Sequence, residues 1–395
     1  MCAPTGRSGP TAHQQRGFSL IELMIGMTLG VILLAGVLKV FDSANRTNIE
    51  LQKVTQLTDS GQYALQVFNN DLHNTGYYGP YYVLPSAPGT LPNPCNTSDL
   101  AALFTSLSVP VQGYPAADLA TRPPLPSGCA AFGLQAANVV PGSDVLVTRR
   151  ADSELLSSVP TLNEVYIQSN SATAAIQLGV PTGFALGAVA PDNAVSVVGT
   201  DAGGNPAAIL KRANVSGAHP IVDGARIAAD IRKLHVTIYF VAPCSIPADG
   251  GTICTGPNDD AGKPLPTLKR LELVSEGGTT TMSIAALVGG VERMSIEYGL
   301  DAAPAITNRL TNFAGDGVAD TWTHNPTLTQ WPDVVVARIR VLVRTTTITP
   351  GQSDTKTYDM GPLGTTTATG DAYKRHLFQQ AVTLTNLSQR RQIPQ

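Results

Sequence analysis

The sequence predicts an α+β protein: a long N-terminal helix followed by a head of antiparallel β-sheet with long Pro- and Gly-rich loops. Three observations carry this. The run from Phe18 to Phe41 is apolar except for Glu22, Lys39 and small polar residues. Apolar residues then recur every three or four positions from Leu51 to Leu72, with no proline between Phe18 and Pro80. Beyond Gly128 the period changes to two, in short segments bounded by Gly, Pro, Asn and Asp. Composition agrees, since 37 Gly, 29 Pro and only 14% charged residues in a chain of 395 favour extended, turn-rich structure over a bundle.

Residues 23–38 carry no charge, and counting back to Phe18 gives about 20 residues, enough to cross a bilayer as a helix. Arg7, His13 and Arg16 precede this run without any acidic residue. That bias holds the N-terminus in the cytoplasm and sends the rest of the chain outward. A secretory signal peptide would put its apolar core before a small-residue cut. Here Gly17 comes before the run, so cleavage after Gly17 leaves the helix on the mature protein.

Glu22 requires a partner, because a carboxylate in a membrane segment costs a few kcal/mol even on lenient scales. The cheapest is a new α-amino group on Phe18, supplied by a neighbouring copy of such a helix. The stretch GFSLIELMIGM resembles the N-terminus of the type IV pilin family, with a Gly at the cut (Gly17), a Phe that becomes the N-methylated first residue (Phe18) and a Glu at the fifth mature position (Glu22). The resemblance implies cleavage by a prepilin peptidase, an inner-membrane single-pass precursor, and partners that include other major and minor pilins and the inner membrane assembly platform. Two departures stand beside it. The leader, residues 1–17, is longer than the short leaders common in that family, and Lys39 occupies the position of a helix-breaking Pro found in many major pilins.

Five cysteines fall as Cys2, within the leader, and Cys95, Cys129, Cys244 and Cys254 beyond the helix. An even number in an exported segment reads as disulfides. Of three connectivities, nearest-neighbour pairing is expected: Cys95 with Cys129 and Cys244 with Cys254. Metal ligation is disfavoured by the absence of C-x-x-C spacing and of nearby histidines.

In chain order, the expected segments are a leader (1–17), a helix (18–79) and an extracytoplasmic head (80–395). The helix, with apolar positions Leu51, Val54, Leu57, Gly61, Leu65, Phe68 and Leu72, would run from about Phe18 to about Thr75, roughly 85 Å, and stop at Gly76. Residues 77–128 carry ten prolines from Pro80 to Pro126 and read as a long loop with a short helix near Asp99 to Leu107. Strands are expected over residues 144–150, 164–168, 194–198, 208–212, 234–240, 268–274, 287–298, 334–344 and 376–387. In the fifth, Leu234, Val236, Ile238 and Phe240 share a core face and His235 lies on the opposite, polar one.

The order LVGGVERMSIEYGLD, Gly315-Asp316-Gly317, Trp331, VVVARIRVLVRT and a terminal strand ending TNL resembles the PilW family of minor pilins. That resemblance covers the last third of the chain plus the N-terminal helix. It implies a role in type IV pilus assembly or initiation at or near the tip, with the protein at the cell surface after assembly. The region Tyr82 to Asp230 matches no known pattern, and such inserts can carry partner specificity.

No G-x-S-x-G, H-E-x-x-H, Walker A or G-x-G-x-x-G pattern occurs, and the six histidines lack metal-ligand spacing. Asn312, Asp316, Gly317 and Asp320 fall at positions one, five, six and nine of a calcium loop, although Ala314 and Thr323 stand at positions three and twelve. Calcium is thus the sole cofactor the sequence suggests. A net charge of −3 offers no basic footprint, so general nucleic-acid binding is not expected. Three functional classes remain: a minor pilin, a type II secretion pseudopilin, and a membrane-tethered enzyme, which the absence of a paired nucleophile and base disfavours.

Overall fold

The computed structural model describes residues 19–82, 84–156, 160–170, 174–180, 183–189, 197–200, 206–209, 229–302 and 315–392. The chain divides into two units, one ending at Lys53 and the other beginning at Val54.

Helix α1 spans Leu20–Asn74. It opens where the Glu22 and Leu23 N–H groups donate to Ser19 O at 3.0 and 3.1 Å, with the S-x-x-E spacing of a capping box. It ends at Gly76, whose φ of 78° is open to glycine and whose N–H donates to Arg149 O at 2.9 Å.

The head begins with α2 (Leu100–Ser106), capped by Asp99, whose carboxylate accepts from Ala102 N. Strands β1 (Val111–Tyr114), β2 (Val145–Ala151), β3 (Val165–Ser169), β4 (Ala174–Val180) and β5 (Gly183–Val189) follow. After a hairpin of β6 (Val197–Thr200) and β7 (Pro206–Ile209) come β8 (Asp230–Ala242), the short α3 (Asp259–Gly262), β9 (Thr267–Glu276), β10 (Thr279–Gly289) and β11 (Val291–Leu300). The chain continues through β12 (Thr321–Thr323), β13 (Val334–Arg344), β14 (Thr357–Asp359), β15 (Thr365–Thr367), β16 (Arg375–Thr383) and α4 (Thr385–Gln392).

All described strand pairing is antiparallel apart from a single bridge between Tyr78 and Pro80. The larger sheet runs β1-β2-β8-β3-β4-β5, and β9 with β10 adds to β8. Strand β8 is long enough, at 13 residues, to pair with β3 over Asp230–Lys233 and with β9 over Thr237–Ala242 along the same edge. The smaller sheet runs β12-β11-β13-β16.

The larger sheet is buried on both faces, and alternation explains how. Leu234, Val236, Ile238 and Phe240 face a core closed by α2 and the loop residues Tyr78, Tyr81, Cys95 and Cys129. Tyr239 and Val241 point the other way, into a second core shared with α1 and with Met294, Ile296, Tyr298, Ile339 and Val341 of the smaller sheet. Burying a side chain of this size contributes about 1.5–3 kcal/mol, so these two cores hold the head together.

Several expectations need correction. The segment 287–298 is two strands, because Gly290 turns at φ 87° and its N–H donates to Pro266 O at 2.7 Å. The last strand stops at Thr383, and the chain then coils into α4. The Pro-rich stretch contains β1, which fits between Pro110 and Pro115 as an edge strand, where a missing N–H costs no ladder bond. Strands β4, β5, β12, β14 and β15 and the first part of β10 (279–286) were not anticipated, and parts of the expected segments 194–198 and 208–212 lie outside the described residues. On the helix, Val54 is 43% exposed, so the buried stripe starts at Leu57 and includes Ala64.

Gly61 marks the closest approach of helix to sheet. A Cβ there would lie 2.2 Å from Phe378 of β16. Gly61→Leu raises helix propensity yet should destabilise the head by about 1–3 kcal/mol through overpacking. Urea unfolding followed by the fluorescence of Trp322 and Trp331 measures it.

Candidate functional site

The first unit presents an apolar helix surface. From Leu20 to Phe41 every large apolar side chain is more than half exposed, among them Ile21, Met24, Leu33 and Phe41. The segment is long and apolar enough to cross a membrane. Glu22 sits in the first turn of α1, where the helix dipole favours a carboxylate, and it is exposed. Gly17 and Phe18 lie outside the described residues. Gly26 and Gly30 leave open space where a Cβ would be, a small-residue pair that another helix can approach closely. Charge returns beyond this surface as Lys39 and then the exposed Asp42–Arg46 pair at 3.0 Å.

Within the second unit, helix residues Leu57, Gly61, Ala64, Phe68 and Leu72 are buried, and one buried acid interrupts them. Asp71 is 6% exposed. Its carboxylate accepts from Arg150 Nε at 2.7 Å, from Tyr239 OH at 3.2 Å and from Thr148 Oγ1. Burial and the Asp71 charge both hold the Tyr239 hydroxyl protonated, well above the usual tyrosine range. Phe68 meets the Tyr239 ring edge-on at 5.1 Å. Asp71 thus ties α1 to β2 and β8 through the side chains that those strands present to the helix. Between the two β2 contacts, Arg149 points to the opposite face, donating to Val109 O at 2.7 Å and to Gln112 Oε1 at 2.9 Å.

The outer face of the smaller sheet carries a charge ladder. Glu297 accepts from Arg338 at 2.9 Å and from Arg340 at 3.4 Å, and Arg338 lies 4.0 Å from the centre of the Trp322 ring. Arg375 bonds Glu292 at 2.6 Å and Asp371 at 2.6 Å. These bonds from Arg375 are the main cause that pulls the Asp371 carboxyl down to about 2. His235 is more enclosed than expected, since β9 brings Glu272 within 3.0 Å of its Nδ1 and Asp152 lies 3.6 Å from its Nε2.

Disulfides join Cys95 to Cys129 and Cys244 to Cys254, with Cα–Cα distances of 5.1 and 5.7 Å. Asp259 lies close to the second pair, but oxidised sulfurs are not thiolate ligands. Its carboxylate instead accepts from the N–H groups of Ala248, Thr255 and Gly256, and these bonds, Gly256 foremost, hold it down to about 2. Asp260 likewise accepts from Ser245, Ile246 and Leu265. The loop is therefore closed by a covalent bond and by two buttressing carboxylates. Of the calcium-loop residues, Asn312 lies outside the described residues. Asp316 accepts from Val318 N at 2.9 Å and Asp320 from Ala302 N at 3.1 Å, and both are exposed.

Two family models match this chain. Residues 12–38 match the prokaryotic N-terminal methylation motif, and residues 256–386 match the type IV pilus-assembly protein W family, PilW. Over those residues the chain is similar to PilW-family type IV pilins. No curated protein and no solved structure matches it. The PilW match covers about a third of the chain, from the end of the Cys244–Cys254 loop through β16, and so includes the whole smaller sheet and the β9–β10 hairpin. The Asp71 lock lies outside both matches. Its signal in the sequence was an acid on the apolar stripe between Phe68 and Leu72, one turn before Thr75. PilW-type pilins are structural proteins of pilus assembly, and the methylation motif with an apolar helix points to membrane anchoring and incorporation into a pilus.

Two outcomes follow for stability. Asp71→Ala leaves Arg150, Thr148 and Tyr239 without their acceptor and should cost about 3 kcal/mol, measured by chemical denaturation. The carboxyls of Asp259 and Asp371 titrate near 2 in the folded chain and near 3.8 when free of these partners. Their contribution is complete above about pH 4 and is lost as pH falls towards 2. Asp333, pushed up chiefly by burial, opposes this in part. A thermal melt series from pH 7 to 2 should therefore drop steeply below pH 4, and Asp259→Asn with Asp371→Asn should flatten that limb.

Proposed function

We propose that this chain is a minor pilin that enters a type IV pilus at or near its tip and takes part in assembly or initiation. The observation that carries this is the coexistence of a pilin processing signature, an exposed apolar helix and a PilW-type head on one polypeptide. The precursor spans the inner membrane once, with the leader cytoplasmic and the head periplasmic. Prepilin peptidase cuts between Gly17 and Phe18, and the assembly platform then transfers the subunit to other pilins. In the filament the new α-amino group of one subunit pairs with the carboxylate of a neighbour, Glu22 serving as such an acceptor.

The terminal position is favoured by size. Pilin helices pack side by side at about 8–10 Å, whereas this head carries two sheets and a long insert before β8. A head that broad fits best where no subunit lies above it.

Cleavage is tested by mass spectrometry of membrane-extracted protein, which should begin at Phe18, and Gly17→Leu should retain the leader. Glu22→Ala should leave the head folded and the membrane pool intact but deplete the subunit from sheared filaments. Equal recovery of parent and variant in filaments at matched expression would remove the ion-pair account.

A further inference from the structure

Strand β16 lies at one end of the smaller sheet and pairs there with β13. Thr345 N–H donates to Lys374 O at 2.9 Å and Leu384 N–H to Val335 O at 2.8 Å, and these two bonds fix the phase of the ladder at both ends. Even-numbered residues of β16 therefore turn their N–H and C=O towards β13, and Leu377, Gln379, Ala381 and Thr383 turn theirs away. No described residue bonds those outward backbone groups. Gln379, Ala381 and Thr383 are exposed. The helix does not cover them from the front, since it is the alternate residues Phe378 and Gln380 that meet α1, at Gly61 and at Asn69.

Open edges invite strand addition, and folded proteins blunt them with charge, proline, bulges or short length. Other edges of this head carry such devices: prolines flank β1, a bulge between Ala286 and Val288 breaks β10, and β12 has three residues. Residues 377–383, LFQQAVT, hold no charge and no proline, and β16 pairs with β13 without a register shift. The start of this edge adjoins a cleft of about 580 Å³. Val54, Leu57 and Phe378 form its apolar wall, and the exposed His376 and Lys356 stand at its rim. Asp354 also lines it but is buried, taken up by Tyr358 OH at 2.9 Å and by Arg375 at 3.5 Å, so Lys356 sets the sign of the rim.

We propose that the β16 edge takes up an extended segment of another protein as an added antiparallel strand whose C-terminal end enters this cleft. The outward backbone groups demand a partner in the β conformation, because only an extended chain presents N–H and C=O at the matching spacing. Antiparallel pairing continues the arrangement of β11, β13 and β16 and is slightly the more stable per residue. Such a strand runs from Thr383 towards Leu377 and reaches the cleft with its last residues. An apolar side chain then meets Leu57 and Phe378, and a carboxylate beyond it meets Lys356. A second copy of this chain does not fit. Antiparallel pairing of two β16 edges would set residues 54–74 of α1 in the two copies in opposite directions, whereas helices rooted in one membrane run the same way. That exclusion rests on the pilin reading; the edge and cleft chemistry do not.

The test uses the full-length protein in detergent micelles and the fluorescence anisotropy of a peptide, Thr-Val-Thr-Val-Thr-Leu-Asp-amide, with a dye on its N-terminus. Its companions are two forms N-methylated on alternate residues, at the Thr or at the Val positions, and a form with Asn for Asp. The form methylated on the row that faces β16 should bind at least about tenfold more weakly than the plain peptide, and the other methylated form should bind as the plain peptide does. Ala381→Pro removes an outward N–H and spares the bonds to β13, so it should weaken binding at least about tenfold at an unchanged thermal midpoint. Lys356→Glu should weaken the Asp peptide and spare the Asn peptide. Equal binding of the plain peptide and both methylated forms, a comparison that needs no variant, would overturn strand addition, as would undiminished binding to a folded Ala381→Pro. Unchanged affinity of the Asp peptide for Lys356→Glu would overturn the seating of its C-terminal end. Dimers of the peptide-free protein that Ala381→Pro abolishes would overturn the foreign partner and give the edge to a second copy. Failure of strand addition with Glu22-dependent filament entry intact would remove this inference alone and leave the pilin reading standing.

Discussion

The structure of the head depends on one buried carboxylate. Asp71 sits on the helix face that packs on the sheets, and it takes hydrogen bonds from β2 and from β8 at once. Apolar contacts tolerate sliding by a turn, because any small or apolar residue can follow any other along a stripe. A carboxylate with three specific donors does not. It fixes where residues 54–74 of α1 lie along the sheet, and so fixes which side chains meet around it, including Gly61 against Phe378 and Phe68 against Tyr239.

With that register set, the remaining architecture follows from burial on both faces of the larger sheet. One face is closed by α2 and by the loop that Cys95–Cys129 staples, and the other by α1 and the smaller sheet. Such a loop has few backbone donors to form a sheet of its own. A disulfide and side-chain caps such as Asp99 compensate by restricting the unfolded chain and satisfying local N–H groups. The outer face of the smaller sheet is charged, and there cross-strand pairs and stacked arginines hold β11, β13 and β16 together.

This division suits a subunit whose helix and head have different tasks. The exposed apolar run needs only length, uniform hydrophobicity and an acid near its start. The head has to present a fixed surface, and the covalent and ionic cross-ties concentrate there. The PilW match coincides with the smaller sheet and the β9–β10 hairpin, whereas strands β3 to β7, in the insert before β8, lie outside both matches.

The sequence by itself determined the features that depend on local period and short-range chemistry: the long helix, its stop at Gly76, the Asp99-capped α2, the strand 334–344, and the inward faces of 234–240 and 291–298. It also pointed to Gly17, Phe18 and Glu22, because that signature is contiguous. Only the tertiary structure decided the rest, for physical reasons visible in particular residues. Asp71 shows in the sequence only as an acid between Phe68 and Leu72, and its donors come from residues 77 and 168 positions away. His235 is polar in the sequence and becomes enclosed only when β9 brings Glu272 alongside. Leu384 extends the alternation of Phe378 and Val382, yet the strand ends at Thr383 and the chain coils into α4, where Leu387 is buried in the same core as Leu384. Arg390 is one of 26 basic residues in the chain, and only the fold buries its Nη1 without an acceptor.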